Sequence, residues 1–346
     1  MHNQNFRRAA LATLLITGFF VAGWEGYWRS RGFVPTFNDD KSLWASVRRK
    51  ASLRPDKATV FIGSSRIKFD LDIETWRRLS GEDAVQLSLV GTSPRLLLQD
   101  LAGDSSFRGK VVLDVTEVLF FSQNPAVRES AEEATKCYRE QTPAERASAQ
   151  VQFALESKLS FLEERRFSLS ALLGDLEVPS RPGVFVVPPF PKTFEWTTRD
   201  RQTYMSPAFL ASAHDVERQK AIWKKLILGD PTPPPKGAAL QAIFDEVNRA
   251  IKAIEARGGR VVLVRTPSSG PMAAAEEKAY PRQRYWDELV KATGVPGLHY
   301  RDNIATSSFV CPEWSHLSPQ DAIAYTKALT AQLQELQWFR RNTVRP

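Results

Sequence analysis

The sequence predicts an α/β protein built as a three-layer sandwich around a mainly parallel sheet of five strands. Short apolar runs that end in turn residues alternate with stretches of helical spacing, which is typical of a parallel sheet covered on both faces. This alternation stops after about residue 121 and resumes at about residue 238. A chain of 346 residues is long enough for one large domain with such an insertion, or for two smaller domains.

The elements follow from this alternation in order. Strands are predicted for the apolar runs 58–63, 84–90, 110–115, 260–265 and 298–301. Helical spacing predicts helices at 73–80, 95–102, 238–256, 284–293 and 318–336. In the insertion we expect mostly helix, at 144–166 and 207–228, with a β-like segment at 184–188 and a proline-rich linker from residue 230. The five strands are expected to form a flavodoxin-like sheet.

The N-terminus has the pattern of a membrane anchor. Arg7 and Arg8 precede an apolar run over residues 9–28, which matches the length of about 20 residues that crosses a bilayer. Aromatic side chains that suit a membrane interface follow at Trp24 and Trp28. We therefore expect a single-pass anchor over residues 1–30 in the cytoplasmic (inner) membrane, with the main domain periplasmic or extracellular. A cleaved signal peptide and a buried amphipathic helix are the alternatives.

The remaining boundaries follow from the same patterns. Residues 31–56 are predicted to be a tether with a short helix. The domain that holds the sheet is predicted to comprise 57–121 and 238–340, with 122–237 as an insertion or cap. We expect this domain to contain the functional site because it holds all five predicted strands.

Composition and motifs exclude several classes of function. The 47 Lys and Arg residues outnumber the 39 Asp and Glu residues, but they are scattered and accompany no nucleic-acid-binding motif. Neither a dinucleotide-binding nor a phosphate-binding glycine motif is present. The two cysteines, Cys137 and Cys311, lack metal-site spacing, although they can pair in an oxidising compartment. We expect no cofactor, no metal and no nucleic-acid partner.

Reactive groups in open α/β sheets gather where strands end, and this chain has candidates at several such points. The first strand ends in Gly63-Ser64-Ser65, and a serine at a strand-to-helix turn has an exposed hydroxyl. A serine nucleophile needs a base. Of the four histidines, His316 on the loop before the last helix is best placed to reach it. Glu313, three residues earlier, is suited to orient the imidazole.

These segments resemble the conserved blocks of the SGNH (GDSL-like) hydrolase superfamily. Its Gly-Asp-Ser block resembles Gly63-Ser64-Ser65, and its Asp-x-x-His-Leu block resembles Glu313-Trp-Ser-His316-Leu317. The resemblance implies that Ser65 is the nucleophile, with His316 and Glu313 completing a triad. It also implies an oxyanion hole made by the backbone N–H groups of Ser65 and Gly91.

The third block of the superfamily, Gly-x-Asn-Asp, falls on Asp114-Val-Thr116-Glu117, where the oxyanion asparagine is absent. Thr116 is then the one side chain there that can offer a hydroxyl to an oxyanion. Arg66 and Arg265 are candidates for binding an anionic substrate group, and structural ion pairs are the alternative for both.

Superfamily members with one N-terminal membrane segment include proteins that add or remove O-acyl groups on cell-surface polysaccharides. The resemblance thus implies a serine acyl-esterase or O-acyltransferase that forms an acyl-Ser65 intermediate. It implies an ester-bearing glycan or acyl donor as substrate and a membrane-bound O-acyltransferase as partner. A catalytically inactive glycan-binding or assembly subunit is one alternative, and a lipid esterase or thioesterase is another.

Overall fold

The computed structural model describes residues 2–53, 57–173, 176, 189–228 and 232–339. The chain divides into two compact units, one of Met1–Asn38 with Pro143–Val186 and one of Asp39–Thr142 with Val187–Pro346. Both the predicted tether and the predicted insertion are therefore shared between the two units. The five predicted strands all belong to the second unit, which we call the sheet unit, and the first is called the anchor unit.

The strands of the described residues form two sheets. They are β1 (Ala58–Ile62), β2 (Asp83–Gln86), β3 (Lys110–Asp114), β4 (Glu195–Thr197), β5 (Thr203–Met205), β6 (Arg260–Arg265) and β7 (Gly297–His299). The predicted five-stranded parallel sheet is confirmed, in the order β2-β1-β3-β6-β7. β4 and β5 pair separately as an antiparallel hairpin in the sheet unit.

Helices precede, connect and follow these strands. They are α1 (His2–Ser30), α2 (Lys41–Leu53), α3 (Ser65–Asp70), α4 (Ile73–Ser80), α5 (Arg95–Gly103), α6 (Glu117–Phe120), α7 (Glu129–Glu140), α8 (Pro143–Glu156), α9 (Glu164–Phe167), α10 (Leu169–Leu173), α11 (Pro207–Ala211), α12 (Ala213–Trp223), α13 (Gly237–Glu255), α14 (Gly270–Ala279), α15 (Arg282–Thr293), α16 (Ile304–Ser307) and α17 (Pro319–Glu335). A π-helical turn, Lys224–Leu228, continues α12.

Alternate side chains of β1, β2, β3 and β6 enter two different apolar clusters, because successive side chains of a strand point to opposite faces of the sheet. Val60 and Ile62 join a cluster with residues of α2, α5, α13 and α15. Phe61 joins the other cluster, with residues of α3, α4 and α17. In this second cluster the rings of Phe61 and Trp76 meet edge to face at 4.8 Å. Fully burying a large apolar side chain contributes roughly 1.5–3 kcal/mol, so these two clusters fix the sheet and the strand ends that it presents.

Several elements differ from the prediction. The helix expected at 144–166 ends at Glu156, where the amide of Asn38 donates hydrogen bonds to Glu156 Oε1 and to the carbonyl of Leu162. The helix expected at 207–228 is interrupted at Ser212, whose hydroxyl caps the start of α12. α7, α14 and the β4–β5 hairpin were not predicted. The β-like segment expected at 184–188 lies outside the described residues.

The N-terminal prediction is confirmed in its coarse form. Residues Asn5–Ser30 make one helix that is long and apolar enough to cross a membrane. Its side chains are mostly exposed in the chain itself. Cys137 and Cys311 form no disulfide with each other: Cys137 packs against one sheet cluster and Cys311 belongs to the other.

Candidate active site

The site begins at the turn between β1 and α3. Ser64 caps α3 by accepting a hydrogen bond from the N–H of Arg66, which makes Ser65 the first helical residue. Gly63 is required at this turn, because a Cβ on it would lie 2.7 Å from the Cβ of Asp114. Ser65 is partly exposed whereas its neighbours are buried. The turn therefore presents a single hydroxyl at the carboxyl edge of the sheet.

Ser65, His316 and Glu313 form a continuous chain of hydrogen bonds. His316 Nε2 lies 2.9 Å from Ser65 Oγ, and His316 Nδ1 lies 3.0 Å from Glu313 Oε1. A carboxylate oxygen only accepts, so a neutral imidazole beside it carries its proton on Nδ1. Nε2 is then the acceptor that faces the serine hydroxyl, which is the arrangement of a nucleophile with its general base.

The Glu313 carboxylate is fully buried, at 0% exposure, and its oxygens are bound by several donors. Oε1 accepts from the backbone N–H groups of Ser315 and His316, at 3.2 and 2.6 Å. Oε2 accepts from the indole Nε1–H of Trp223. Trp314 adopts a left-handed backbone, with φ 79°, in the turn that brings these donors together. Buried charge is tolerated when its oxygens are satisfied in this way.

Aromatic rings surround the imidazole of His316, which is itself buried. The Phe69 ring centroid lies 4.4 Å away, and the Trp223 and Phe194 rings lie at 6.0 and 6.1 Å. The Phe69 ring lies within the distance of about 6 Å at which an aromatic ring attracts a cation such as an imidazolium. Phe69 lies on α3, four residues after Ser65, whereas Phe194 and Trp223 come from the segment predicted as an insertion. This segment therefore forms part of the wall of the site.

The loop after β2 carries Gly91. The N–H groups of Leu87 and Leu89 donate to the carbonyls of Phe61 and Gly63, so this loop runs alongside the end of β1. Gly91 then takes a left-handed conformation, with φ 63°, that favours glycine. Its predicted role as an N–H donor to an oxyanion stays a prediction.

Thr116 lies beside the Gly63-Ser64-Ser65 turn, with its hydroxyl 2.8 Å from the Ser64 hydroxyl. The same Thr116 hydroxyl donates to Oδ2 of Asp114 at 3.0 Å. A hydroxyl has one proton, so a proton engaged with Asp114 is not free for an oxyanion. Burial raises the pKa of the Asp114 carboxyl, against the opposing charges of Arg265 and Arg66. An oxyanion role for Thr116 requires its hydroxyl to leave Asp114.

Both predicted anion-binding arginines are buried in an ionic network. Arg66 binds one carboxylate oxygen of Glu276, and Arg265 binds the other at 2.6 Å. Arg265 also reaches Glu117 at 2.9 Å. Burial alone would raise the pKa of Glu276, but the charges of Arg66 and Arg265 hold it below its ordinary value. Ion pairing is thus the role that the geometry displays for both arginines, and substrate binding by them stays a prediction.

The structure brings together Ser65, His316 and Glu313, and it places Thr116, just after β3, beside Ser64. Gly91 lies in the loop after β2. Sequence reasoning missed Trp223, Phe69 and Phe194. Phe69 was detectable because it falls one helical turn after Ser65, but no spacing pattern links the other two to the triad. In the described ranges no cluster of His, Cys, Asp and Glu has the composition of a metal site. No family model and no curated protein matches this chain.

Proposed function

We propose that the protein is a serine acyl-esterase or O-acyltransferase that works through an acyl-Ser65 intermediate. The observation that carries the proposal is the hydrogen-bonded series Ser65 Oγ, His316 Nε2, His316 Nδ1 and Glu313 Oε1. A serine at a turn has no structural need for a histidine that is itself oriented by a carboxylate. Acyl transfer uses all three groups.

In the first step His316 Nε2 takes the proton of Ser65 Oγ as the oxygen attacks the ester carbonyl. The carbonyl π electrons move to its oxygen, and the backbone N–H groups of Ser65 and Gly91 are proposed to bind that oxyanion. As the tetrahedral intermediate collapses, His316 returns its proton to the departing alcohol. Glu313 stabilises the imidazolium between these events.

In the second step water or a sugar hydroxyl attacks the acyl-Ser65 ester, again with His316 as the base. The acyl group leaves as an acid or as a new ester, and Ser65 recovers its proton. Hydrolysis and transfer share every protein group and differ only in the acceptor. The geometry supports both outcomes equally.

We also propose that the chain is an SGNH-type protein with a flavodoxin-like, three-layer arrangement. The strand order β2-β1-β3-β6-β7 and the two apolar clusters on alternate faces support this layering. The positions of Ser65 just after β1, of Gly91 in the loop after β2 and of His316 in the loop before α17 support the superfamily. Glu313 in place of aspartate and Thr116 in place of asparagine depart from its blocks.

The proposed substrate and location rest on the anchor helix. We propose that α1 spans the cytoplasmic membrane with Arg7 and Arg8 inside, leaving the sheet unit periplasmic or extracellular. An esterase held at that surface is suited to an O-acylated cell-surface polysaccharide. A membrane-bound O-acyltransferase is the proposed partner in transfer.

A second candidate function is a glycan-binding or assembly subunit that retains the fold without catalysis. The observation in its favour is that Thr116, where the superfamily has its oxyanion asparagine, is hydrogen-bonded to Asp114. Loss of one oxyanion donor costs about 10²–10³ in rate. The assembled triad argues against complete loss of activity.

Turnover of p-nitrophenyl acetate tests the proposal. We expect the full chain in mild detergent to hydrolyse this ester, and Ser65→Ala and His316→Ala each to abolish the enzymatic rate. Ser105→Ala and His214→Ala, at exposed positions outside the site, are the matched controls and should retain it. Equal rates in wild type and both triad variants would favour the binding subunit.

A further inference from the structure

The anchor unit contains exposed leucines close to the C-terminal end of α1. From Arg8 to Trp28, α1 rises about 30 Å at 1.5 Å per residue, which equals the hydrocarbon thickness of a bilayer. Trp24, Tyr27 and Trp28 therefore lie at the membrane interface that α1 reaches last, the depth at which such side chains are enriched. Groups that contact these residues lie at the same depth.

A segment from later in the sequence is bound to this end of α1. The Ser160 N–H and hydroxyl donate to the Glu25 carboxylate at 2.8 and 3.0 Å. Arg29 donates to the carbonyl of Lys158 at 2.7 Å. The ring of Phe167 lies 4.7 Å from that of Trp28. Residues 158–167 are thus held at the depth of the last two turns of α1.

Helix α10 begins two residues after Phe167 and exposes three leucines. Leu169, Leu172 and Leu173 are 71%, 52% and 54% exposed. Their spacing of i, i+3 and i+4 places them on one helical face. Clustered leucines of this exposure are unfavourable in water and mark a contact with an apolar phase.

Two cations accompany this apolar face. Arg31 is exposed, with its guanidinium 5.1 Å from the Tyr27 ring centroid. Lys158 is also exposed, and its own backbone carbonyl accepts the hydrogen bond from Arg29. Long basic side chains at this level of a membrane protein reach the lipid phosphates. Leucine, aromatic and basic groups together have the composition of an interfacial membrane element.

We propose that α10 is a second membrane contact, in which Leu169, Leu172 and Leu173 enter the acyl boundary of the leaflet that surrounds Trp28. The occupant of this leucine face is lipid, because the face is continuous with the aromatic end of the anchor helix. Arg31 and Lys158 bind the phosphates of the same leaflet. This contact rests on the membrane-spanning role proposed for α1, and it is independent of any catalysis in the sheet unit.

A fluorescent label tests this placement in the full chain. Leu172→Cys in a Cys137→Ser background is labelled with an environment-sensitive nitrobenzoxadiazole dye, since the remaining Cys311 is buried. The protein is reconstituted in vesicles of phosphatidylcholine and phosphatidylglycerol. Leu15→Cys on α1 serves as the deep reference, and Lys291→Cys on the polar surface of α15 as the aqueous reference.

The proposal predicts that a nitroxide on acyl carbon 5 of the lipid quenches the label at position 172, and that aqueous iodide does not. The label at position 291 should show the reverse pattern. Adding Leu169→Gln and Leu173→Gln should weaken nitroxide quenching at position 172.

Iodide quenching at position 172 equal to that at position 291 would overturn the leucine contact. A label at position 172 that is protected from iodide but not quenched by the nitroxide would also overturn it. If that protection disappears when the protein is diluted with more lipid, a second copy of the chain covers the leucines. The label at position 15 separates these results from failure of the anchor, because iodide quenching there would overturn the membrane-spanning role of α1 itself.

Discussion

Trp223 donates its indole N–H to Oε2 of Glu313, the carboxylate whose other oxygen binds His316. The tryptophan ends α12, in the segment 122–237 that the sequence pattern predicts to be an insertion or cap. Its N–H restricts rotation of the carboxylate and gives the buried oxygen Oε2 a hydrogen-bond donor. The segment around Trp223 is therefore part of the hydrogen-bonded arrangement that orients His316.

Replacing Trp223 with phenylalanine keeps an aromatic ring beside His316 and removes the hydrogen bond to Glu313. A hydrogen bond to a charged group contributes about 1.5–3 kcal/mol, so kcat should fall by about tenfold or more. KM should change little, because Trp223 acts through Glu313. Ester hydrolysis under saturating conditions measures this, with Trp196→Phe as the control. An unchanged kcat would show that Trp223 does not position the acid.

The triad was accessible from the sequence because its members lie at recognisable points. Ser65 follows an apolar strand directly, and Glu313 and His316 are three residues apart in one turn. Trp223 was not accessible, since 90 residues separate it from Glu313 and its approach depends on how α12 packs. For Arg66 the sequence left anion binding and ion pairing open, because its ion-pair partner Glu276 is 210 residues away. Local patterns thus predict groups that share a turn, and packing decides the rest.

Glu313→Gln should be far more damaging than loss of the tryptophan. The carboxamide offers one oxygen where two now accept from His316 and Trp223, so its NH₂ group faces a donor. The imidazolium also loses its counter-charge. We expect kcat to fall by about 10³-fold or more, by analogy with the loss of a triad acid. Glu313→Asp retains the charge and should keep more activity than Glu313→Gln. Equal activity of wild type and Glu313→Gln would exclude a role for this carboxylate.

Thr116→Val should affect stability more than rate. The substitution removes the donor to Asp114 and the partner of the Ser64 hydroxyl, which costs about 1–3 kcal/mol for groups left unsatisfied. The rate should change by less than about tenfold, because the Thr116 proton is engaged with Asp114 and not with an oxyanion. Urea unfolding and ester hydrolysis measure the two effects, with Thr116→Ser as the control. A rate loss of about 10²-fold in a folded valine variant would instead support the oxyanion role.

His299 should make the sheet unit sensitive to acid. Burial and the nearby charge of Arg265 lower the pKa of this imidazole to about 3. The unfolded chain binds a proton below pH 6.5 that the folded chain does not, so stability falls as pH decreases from 6.5 toward 3. The free energy of unfolding at about pH 5 should be lower than at neutral pH by about 2 kcal/mol through this group.

His299→Asn retains an acceptor for the N–H of Arg301 and cannot take up that proton. The variant should lose less stability than wild type between about pH 7 and about pH 5, as measured by urea unfolding at both values. Identical pH dependence in the two proteins would show that His299 does not contribute. The change in unfolding free energy between the two pH values is compared for each protein, and not the absolute stability. The substitution also changes stability at neutral pH, through lost packing on Trp286 and Tyr300.

The fold was predictable wherever hydrophobic pattern and structure coincide. β6 has the bounds expected from its continuous apolar run, and α4 begins and ends at the predicted residues. α7 was missed because the residues it buries, Ala131, Ala134 and Thr135, are too small to give a strong periodic signal. The β4–β5 hairpin was missed because its strands have three residues each. Hydrophobic patterns do not reveal elements whose stability comes mainly from their neighbours.

Every catalytic prediction depends on Ser65 being a nucleophile that His316 activates. The intact mass of the full chain after treatment with a fluorophosphonate, followed by peptide mapping of the adduct, measures this property. We expect one phosphonyl group on Ser65, at a rate that falls sharply in His316→Ala, and no adduct in Ser65→Ala. Absence of an adduct on Ser65 in folded wild-type protein, or labelling that is unchanged in His316→Ala, would refute the proposed activation.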